Sequence, residues 1–233
     1  MSVFRIAMDG PVAAGKGTVA RLVANRLNFL YVDTGAMYRM VAYLALQEKV
    51  SLDDENALVR LIEKSSMKMH NPTTEEKDGR LTTVILNGED VSWKIRTEQV
   101  GAGSSKVAQY SKVRQALVKQ QQKIAQQQNV VMEGRDITFR VLPDAELKIF
   151  LTASDVVRAK RRYLELQTRG QDVEFEAVYK DLLERDQRDT GRAVDPLHIT
   201  DDAWVVDTSD LDIEKVVDMI EARVKVIQEQ QEK

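Results

Sequence analysis

The sequence predicts an α/β fold built on a five-stranded parallel sheet, and three observations carry that prediction. Five short apolar runs punctuate the chain: "VFRIAM" (3–8), "FLYVD" (29–33), "NVVME" (129–133), "ELKIFL" (146–151) and "AWVVD" (203–207). Between them lie segments with apolar residues at helical spacing, the pattern of strand–crossover–strand units. The first run leads directly into "GPVAAGKGT" (10–18), a glycine-rich loop that opens a helix.

After the loop, Val19, Leu22, Val23 and Leu27 share one helical face. The second strand runs into "YRMVAYLALQ", a helix, and then "SLDDENALVRLIEK", where Ser51 and Asp54 have capping-box spacing. The texture changes over 66–92. "NPTTEEKDG" is a turn cluster and "RLTTVILNGEDVS" carries β-branched residues up to an Asn87-Gly88 turn, which together read as a small β insertion. Helices resume at "TEQVGAGSSKVAQY" and "KVRQALVKQQQKIAQQQ", the glutamine-rich end being solvated. Two basic helices, 154–168 and 173–188, join around Gly170, and an amphipathic helix closes the chain over 212–231.

Composition narrows the function. With 233 residues, 43% apolar and 30% charged, the chain suits one soluble domain with a sizeable core. A net charge of −3 supplies no global positive field for nucleic acid or an anionic membrane. The absence of cysteine removes disulfides and thiolate chemistry, and His70 and His198 are too isolated to build a zinc site. No apolar run approaches the roughly 18 residues of a membrane span. The first residues lack a secretory leader's basic start, so a cytoplasmic protein is expected. Without a long apolar stripe, a monomer is expected.

The glycine-rich loop has the chemistry of a phosphate cradle. Gly10 and Gly15 let the backbone turn its N–H groups toward an anion, the following helix adds its positive end, and Lys16 reaches the outer phosphates. A hydroxyl normally follows the lysine to serve a metal; here Gly17 intervenes and Thr18 comes next. "DTGAMYR" (33–39) stands where α/β sheets present their ligand-facing ends, with Arg39 available to an anion. On spacing alone, Thr34 as a helix cap and Tyr38 as core remain open. "EGRD" (133–136) places Glu133 to orient a metal's waters and Arg135 to clamp a phosphate. In "ERDQRDTGR" (184–192), Arg185, Arg188 and Arg192 fall near one helical face, although Glu184, Asp186 and Asp189 are equally placed to pair with them as a solvated surface. Phosphoryl transfer between two anions demands such charge neutralisation. A guanine-reading Asn-Lys-x-Asp run is absent, which excludes a GTPase switch.

The runs "IAMDGPVAAGKGT", "DTGAMYR", "IRTEQV", "SSKVAQYSKVRQAL", "GRD", "LPDAELKIFL" and "ERDQRDTGRAVDPL", in order from residue 6 to 197, resemble the bacterial-type cytidylate kinases. The resemblance implies a single P-loop NTPase-type domain, with core 1–33, 111–153 and 193–233, a β-containing acceptor-binding lobe 34–110 and a helical lid 154–192. It implies that Gly10, Pro11, Val12, Ala13, Ala14, Gly15, Lys16, Gly17 and Thr18 bind the phosphates of ATP. Arg39, Arg135 and Arg192 would hold the monophosphate of CMP or dCMP. Ser105, Arg114 and Asp136 would read the cytosine, Arg185 and Asp189 would contact the sugar, and Thr34 and Tyr38 would line the acceptor pocket. Lys16, Arg39, Arg135, Arg185, Arg188 and Arg192 form the expected catalytic set. Mg²⁺ would accompany ATP, served by Thr18 and, through water, by Glu133.

Four positions depart from the family pattern. Glu133 stands for the usual aspartate, Thr138 for a glycine, and Phe139 and Arg140 are bulkier than expected. If that glycine has a positive φ, threonine strains the turn that presents Arg135 and Asp136. Two other readings stay open: a kinase for UMP or a non-nucleotide acceptor, and a non-catalytic ATP-binding protein.

Overall fold

In the computed structural model, residues 3–168 and 170–231 are described. A central sheet is formed by β1 (Arg5–Asp9), β2 (Leu30–Asp33), β6 (Val130–Glu133), β7 (Leu147–Thr152) and β8 (Trp204–Asp207). Its order is β2-β6-β1-β7-β8, and every pairing is parallel. Helices α1 (Lys16–Leu27) and α8 (Ile213–Gln231) cover one face. The other face is covered by α2 (Thr34–Gln47), α3 (Glu55–Lys64) and α5 (Ser111–Gln127). Alternation along each strand sorts the apolar runs between these layers: Ile6, Met8, Tyr31 and Val131 pack toward α1 and α8, whereas Ala7, Val32, Val130 and Met132 pack toward α2 and α5.

The insertion folds as a three-stranded antiparallel sheet, β3 (Met67–His70), β4 (Thr83–Leu86) and β5 (Glu89–Asp90). Asn87 and Gly88 both have positive φ (52° and 88°), as a tight two-residue hairpin turn requires. This sheet has no separate core: Met69, Val84 and Leu86 join the cluster that holds Val32 and Met132. Asn71 completes the attachment. Its Oδ1 accepts from the Tyr31 amide (2.9 Å) and its Nδ2 donates to the Phe29 carbonyl (2.7 Å), so its side chain pairs with the open edge of β2. Beyond it lies α4 (Glu98–Val107), and after β7 come α6 (Asp155–Thr168) and α7 (Phe175–Gly191).

Two caps differ from expectation. Ser51 forms no capping box; its Oγ accepts from the Asp53 amide, and Asp54 caps α3 by accepting from Ala57 N (2.9 Å). The carboxylate nearest the helix start already reaches the orphan donor, so the more distant hydroxyl is not needed. Thr34 does not cap α2 either. Asp33 does, through Ala36 N (3.1 Å), which puts Thr34 inside the helix and frees its hydroxyl to donate to the Glu133 carbonyl (2.8 Å). No helix among the described residues is long and apolar enough to cross a membrane.

Candidate active site

The phosphate loop leaves β1 through a backbone that only glycine can take. Gly10 has φ 151°, and a Cβ there would lie 2.0 Å from the Leu151 carbonyl oxygen. Ala13 (φ 58°) and Gly15 (φ 92°) continue the curl, and α1 begins at Lys16 with no side-chain cap. Its first-turn N–H groups are thus available to an anion. Lys16 is 5% exposed and folds back over the loop, Nζ donating to the Pro11 carbonyl at 2.8 Å. Burial and the Arg135 charge lower its pKa to about 7, against the pull of Glu133, Asp9 and Asp189.

Gly17 owes its place to packing. A Cβ there would sit 3.3 Å from the Tyr31 hydroxyl and 3.4 Å from Glu133 Oε1, so the first turn of α1 closes directly onto that carboxylate. Glu133 ends β6 in register with Asp33 at the end of β2. Burial, then the Asp33 charge, raises its pKa, while Lys16 and Arg135 oppose the rise. Asp33 itself is paired with Arg96 (2.9 Å). The described residues contain no cluster of three or more His, Cys, Asp or Glu able to hold a metal. Oxygen donors beside the loop, Thr18 and Glu133, nevertheless suit a Mg²⁺ that keeps water and phosphate ligands and needs few from protein.

Arginines from four further segments were expected at the site. Arg135 donates from Nε to Asp189 Oδ2 (2.8 Å) and from Nη1 to the Gly134 carbonyl (3.0 Å). Arg185 is exposed on α7 but crowded enough there that desolvation and the Arg135 charge lower its pKa. Arg39 lies against Gly101 of α4 and donates to the Ile95 carbonyl (3.4 Å). Arg192 donates from Nε to the Asp195 carbonyl (2.6 Å), while its Nη2 is buried with no partner. Such a buried donor is open to an acceptor that the protein itself does not supply. Beside Arg192 lies a buried polar cluster. Arg114, 2% exposed, pairs through Nη2 with Asp136, through Nε with Asp195 (3.0 Å), and lies 5.8 Å from the Tyr38 ring centroid. Burial raises the Asp136 pKa, and Arg114 opposes that shift.

Thr34 is buried against Gly134, its hydroxyl already spent on Glu133. Ser105 is exposed on α4, with Oγ donating to Gly101 at 3.4 Å. Among the described residues, Arg188 stays outside the hydrogen-bonded cluster: it is exposed, and its Nε donates to Glu184 of its own helix. The acidic residues of that helix do not make it a self-paired surface, because Asp189 pairs with Arg135 and Asp186 with Arg158 (2.6 Å). The expected strain at Thr138 is absent. It is not among the positive-φ residues; it sits in a π-helical turn over Ile137–Val141.

Three site residues escaped the sequence reading. Asp9 is fully buried and accepts from Ile137 N (2.9 Å), Thr138 N (2.8 Å) and Thr138 Oγ1 (2.7 Å), tying the start of the loop to the Asp136 turn. Arg158 donates to the Val12 carbonyl (3.1 Å), joining α6 to the loop. Asp195 bridges Arg114 and Arg192. Asp9 ends a strand just before the glycine loop, and Arg158 opens "RAKRRY"; Asp195 lies in the run "ERDQRDTGRAVDPL", where the arginines drew the reading.

The cytidylate kinase family profile matches residues 6–226. The chain belongs to the cytidylate kinase family. It is 49% identical over 216 residues to the cytidylate kinase of Geobacillus sp. (strain WCH70), covering 93% of this chain and 94% of that one. Cytidylate kinases of Carboxydothermus hydrogenoformans (47% identity, 91% and 93% coverage) and Bacillus subtilis (45%, 92% and 93%) are similar to it in the same way. Among solved structures, an uncharacterized protein from Eubacterium ventriosum shares the fold, with a TM-score of 0.53 at 12% identity over 97% of this chain and 98% of that one.

Proposed function

We infer that this chain is a cytidylate kinase, transferring the γ-phosphoryl group of ATP to CMP or dCMP to give ADP and the diphosphate. The buried Arg114–Asp136 pair beside Tyr38 is the observation that carries the acceptor's identity. A charged pair in so enclosed a place demands a polar ligand edge, and it lies beside Arg192. Gly10 to Thr18 hold the ATP phosphates. Arg39, Arg135 and Arg192 hold the acceptor phosphate, Ser105, Arg114 and Asp136 face the base, Arg185 and Asp189 the sugar, and Thr34 and Tyr38 shape the pocket wall. Mg²⁺ bound with ATP would screen phosphate charge, with Thr18 and Glu133 as its protein donors, the latter through water.

The acceptor phosphate is already anionic, so no strong general base is needed. Lys16 and the arginines offset repulsion between two anions and spread charge in the transition state, each worth about 2–4 kcal/mol on the scale of one preorganised donor. The lid, 154–192, closes over ATP and keeps water from the γ-phosphate, and the lobe 34–110 closes on the acceptor around the core of 1–33, 111–153 and 193–233. Large exposed apolar residues are scattered over lobe, lid and α8, which supports a monomer, working in the cytoplasm. The test is a coupled ADP-release assay with Mg-ATP against CMP, dCMP, UMP, AMP and GMP, with a no-acceptor control. Turnover confined largely to CMP and dCMP is expected. Equal turnover with UMP or a purine acceptor, or none at all, overturns the assignment of the base pocket.

A further inference from the structure

Asp195 lies beyond α7 on the segment leaving the lid and has φ 46°, in the left-handed region. Pro196 follows it, and a residue before proline favours extended backbone. Such a conformation persists only where the surroundings over-determine it. Here they do. The Asp195 carboxylate accepts from Arg114 Nε (3.0 Å), and its carbonyl accepts from Arg192 Nε (2.6 Å). The segment is held from the other side by the substituted turn: Arg140 Nε stands 3.7 Å from Asp195 Oδ1, and Phe139 packs on His198 with ring centroids 4.1 Å apart. The two bulky departures in "ITFRV" thus meet the lid exit.

We propose that Asp195 is a positioning residue for the acceptor, gripping the base-side Arg114 with its carboxylate and the phosphate-side Arg192 with its carbonyl, and so setting the distance between base and phosphate recognition. The donor count fits this role. Arg114 spends one N–H each on Asp195, Asp136 and the Ala108 carbonyl, which leaves one on each Nη from the guanidinium's five. Those remaining donors point wherever the two carboxylates fix the guanidinium plane. Arg192, anchored at Nε, keeps its unpartnered Nη2 for the anion. The inference rests on the cytidylate kinase reading of the site.

The experiment compares native chain with Asp195→Gly and Asp195→Asn, measuring KM for CMP and for ATP, the CMP-to-UMP preference, and thermal unfolding. Glycine accepts the left-handed backbone and keeps the carbonyl but removes the carboxylate. Loss of a charged hydrogen bond should raise KM for CMP about tenfold relative to KM for ATP and erode the preference for CMP over UMP. Asparagine tolerates the same backbone and keeps one acceptor oxygen, so it should restore most of the loss, leaving a rise of about threefold. An unchanged KM for CMP, an equal rise for both substrates, or an asparagine variant no better than glycine overturns the proposal; the asparagine variant alone decides if glycine fails to fold. A native chain inactive on CMP refutes the underlying function reading, and this inference with it.

Discussion

Lys16 is where burial and charge collide most directly. Its pKa falls from 10.5 to about 7 because the folded chain removes its ammonium from water beside Arg135. The sign for stability follows: the unfolded chain binds this proton more tightly, so Lys16's contribution to stability rises with pH from about 7 toward 10.5 and is least favourable below that window. The phosphates of ATP restore the preference for the charged form. At pH 8, binding of an ATP analogue should therefore take up close to one proton, and affinity should weaken as pH climbs above about 7. Titration calorimetry in Tris and HEPES at pH 8 reads this as a difference between observed enthalpies. Lys16→Met should abolish the difference, and identical enthalpies for the native chain would contradict it.

At the scale of elements, one side chain completes the join between the β insertion and the central sheet, beside the apolar packing of Met69, Val84 and Leu86. Edge strands expose unpaired N–H and C=O groups, and Asn71 satisfies the Tyr31 amide and the Phe29 carbonyl at the edge of β2. Asn71→Ala leaves both groups without that partner and should cost about 1–3 kcal/mol. Hydrogen exchange at the Tyr31 amide should accelerate about tenfold or more, with little change in α8 on the far face. Uniform acceleration through both faces would mean that Asn71 supports global stability rather than this join. The hairpin was readable from Asn87-Gly88 because that turn chemistry is local. The Asn71 bridge was not, because its partners lie about forty residues earlier in the chain.

For the whole molecule, the segment proposed as a lid is tied to the loop it would cover. Arg158 on α6 reaches the Val12 carbonyl and Asp186 of α7, and Tyr163 of α6 meets Phe175 of α7 edge-on. Deleting residues 154–192 removes Arg158, Arg185, Asp189 and Arg192 at once. Transfer to CMP should then fall by at least about a thousandfold, since several preorganised donors are lost together and one alone costs up to about that much. Circular dichroism should still report the helices on both faces of the sheet. Full activity after deletion would show that neither closure nor the α7 arginines matter to the reaction.

The sequence by itself determined the five strands, the helical crossovers, the hairpin and the phosphate loop. Each depends on short-range physics: side-chain periodicity, turn chemistry, and glycines such as Gly10 whose backbone no other residue can adopt. The arginines were visible as residue types, but their partners were not. Arg114 lies in a plain helix, 22 residues from Asp136 and 81 from Asp195, and Asp189 serves Arg135 rather than its helical neighbours. The residue at 138 was expected to strain its turn, and instead bonds Asp9 at the end of the neighbouring strand. Only the tertiary structure decided these pairings, because ion pairs and buried hydrogen bonds depend on where distant segments return in space, which no local pattern encodes.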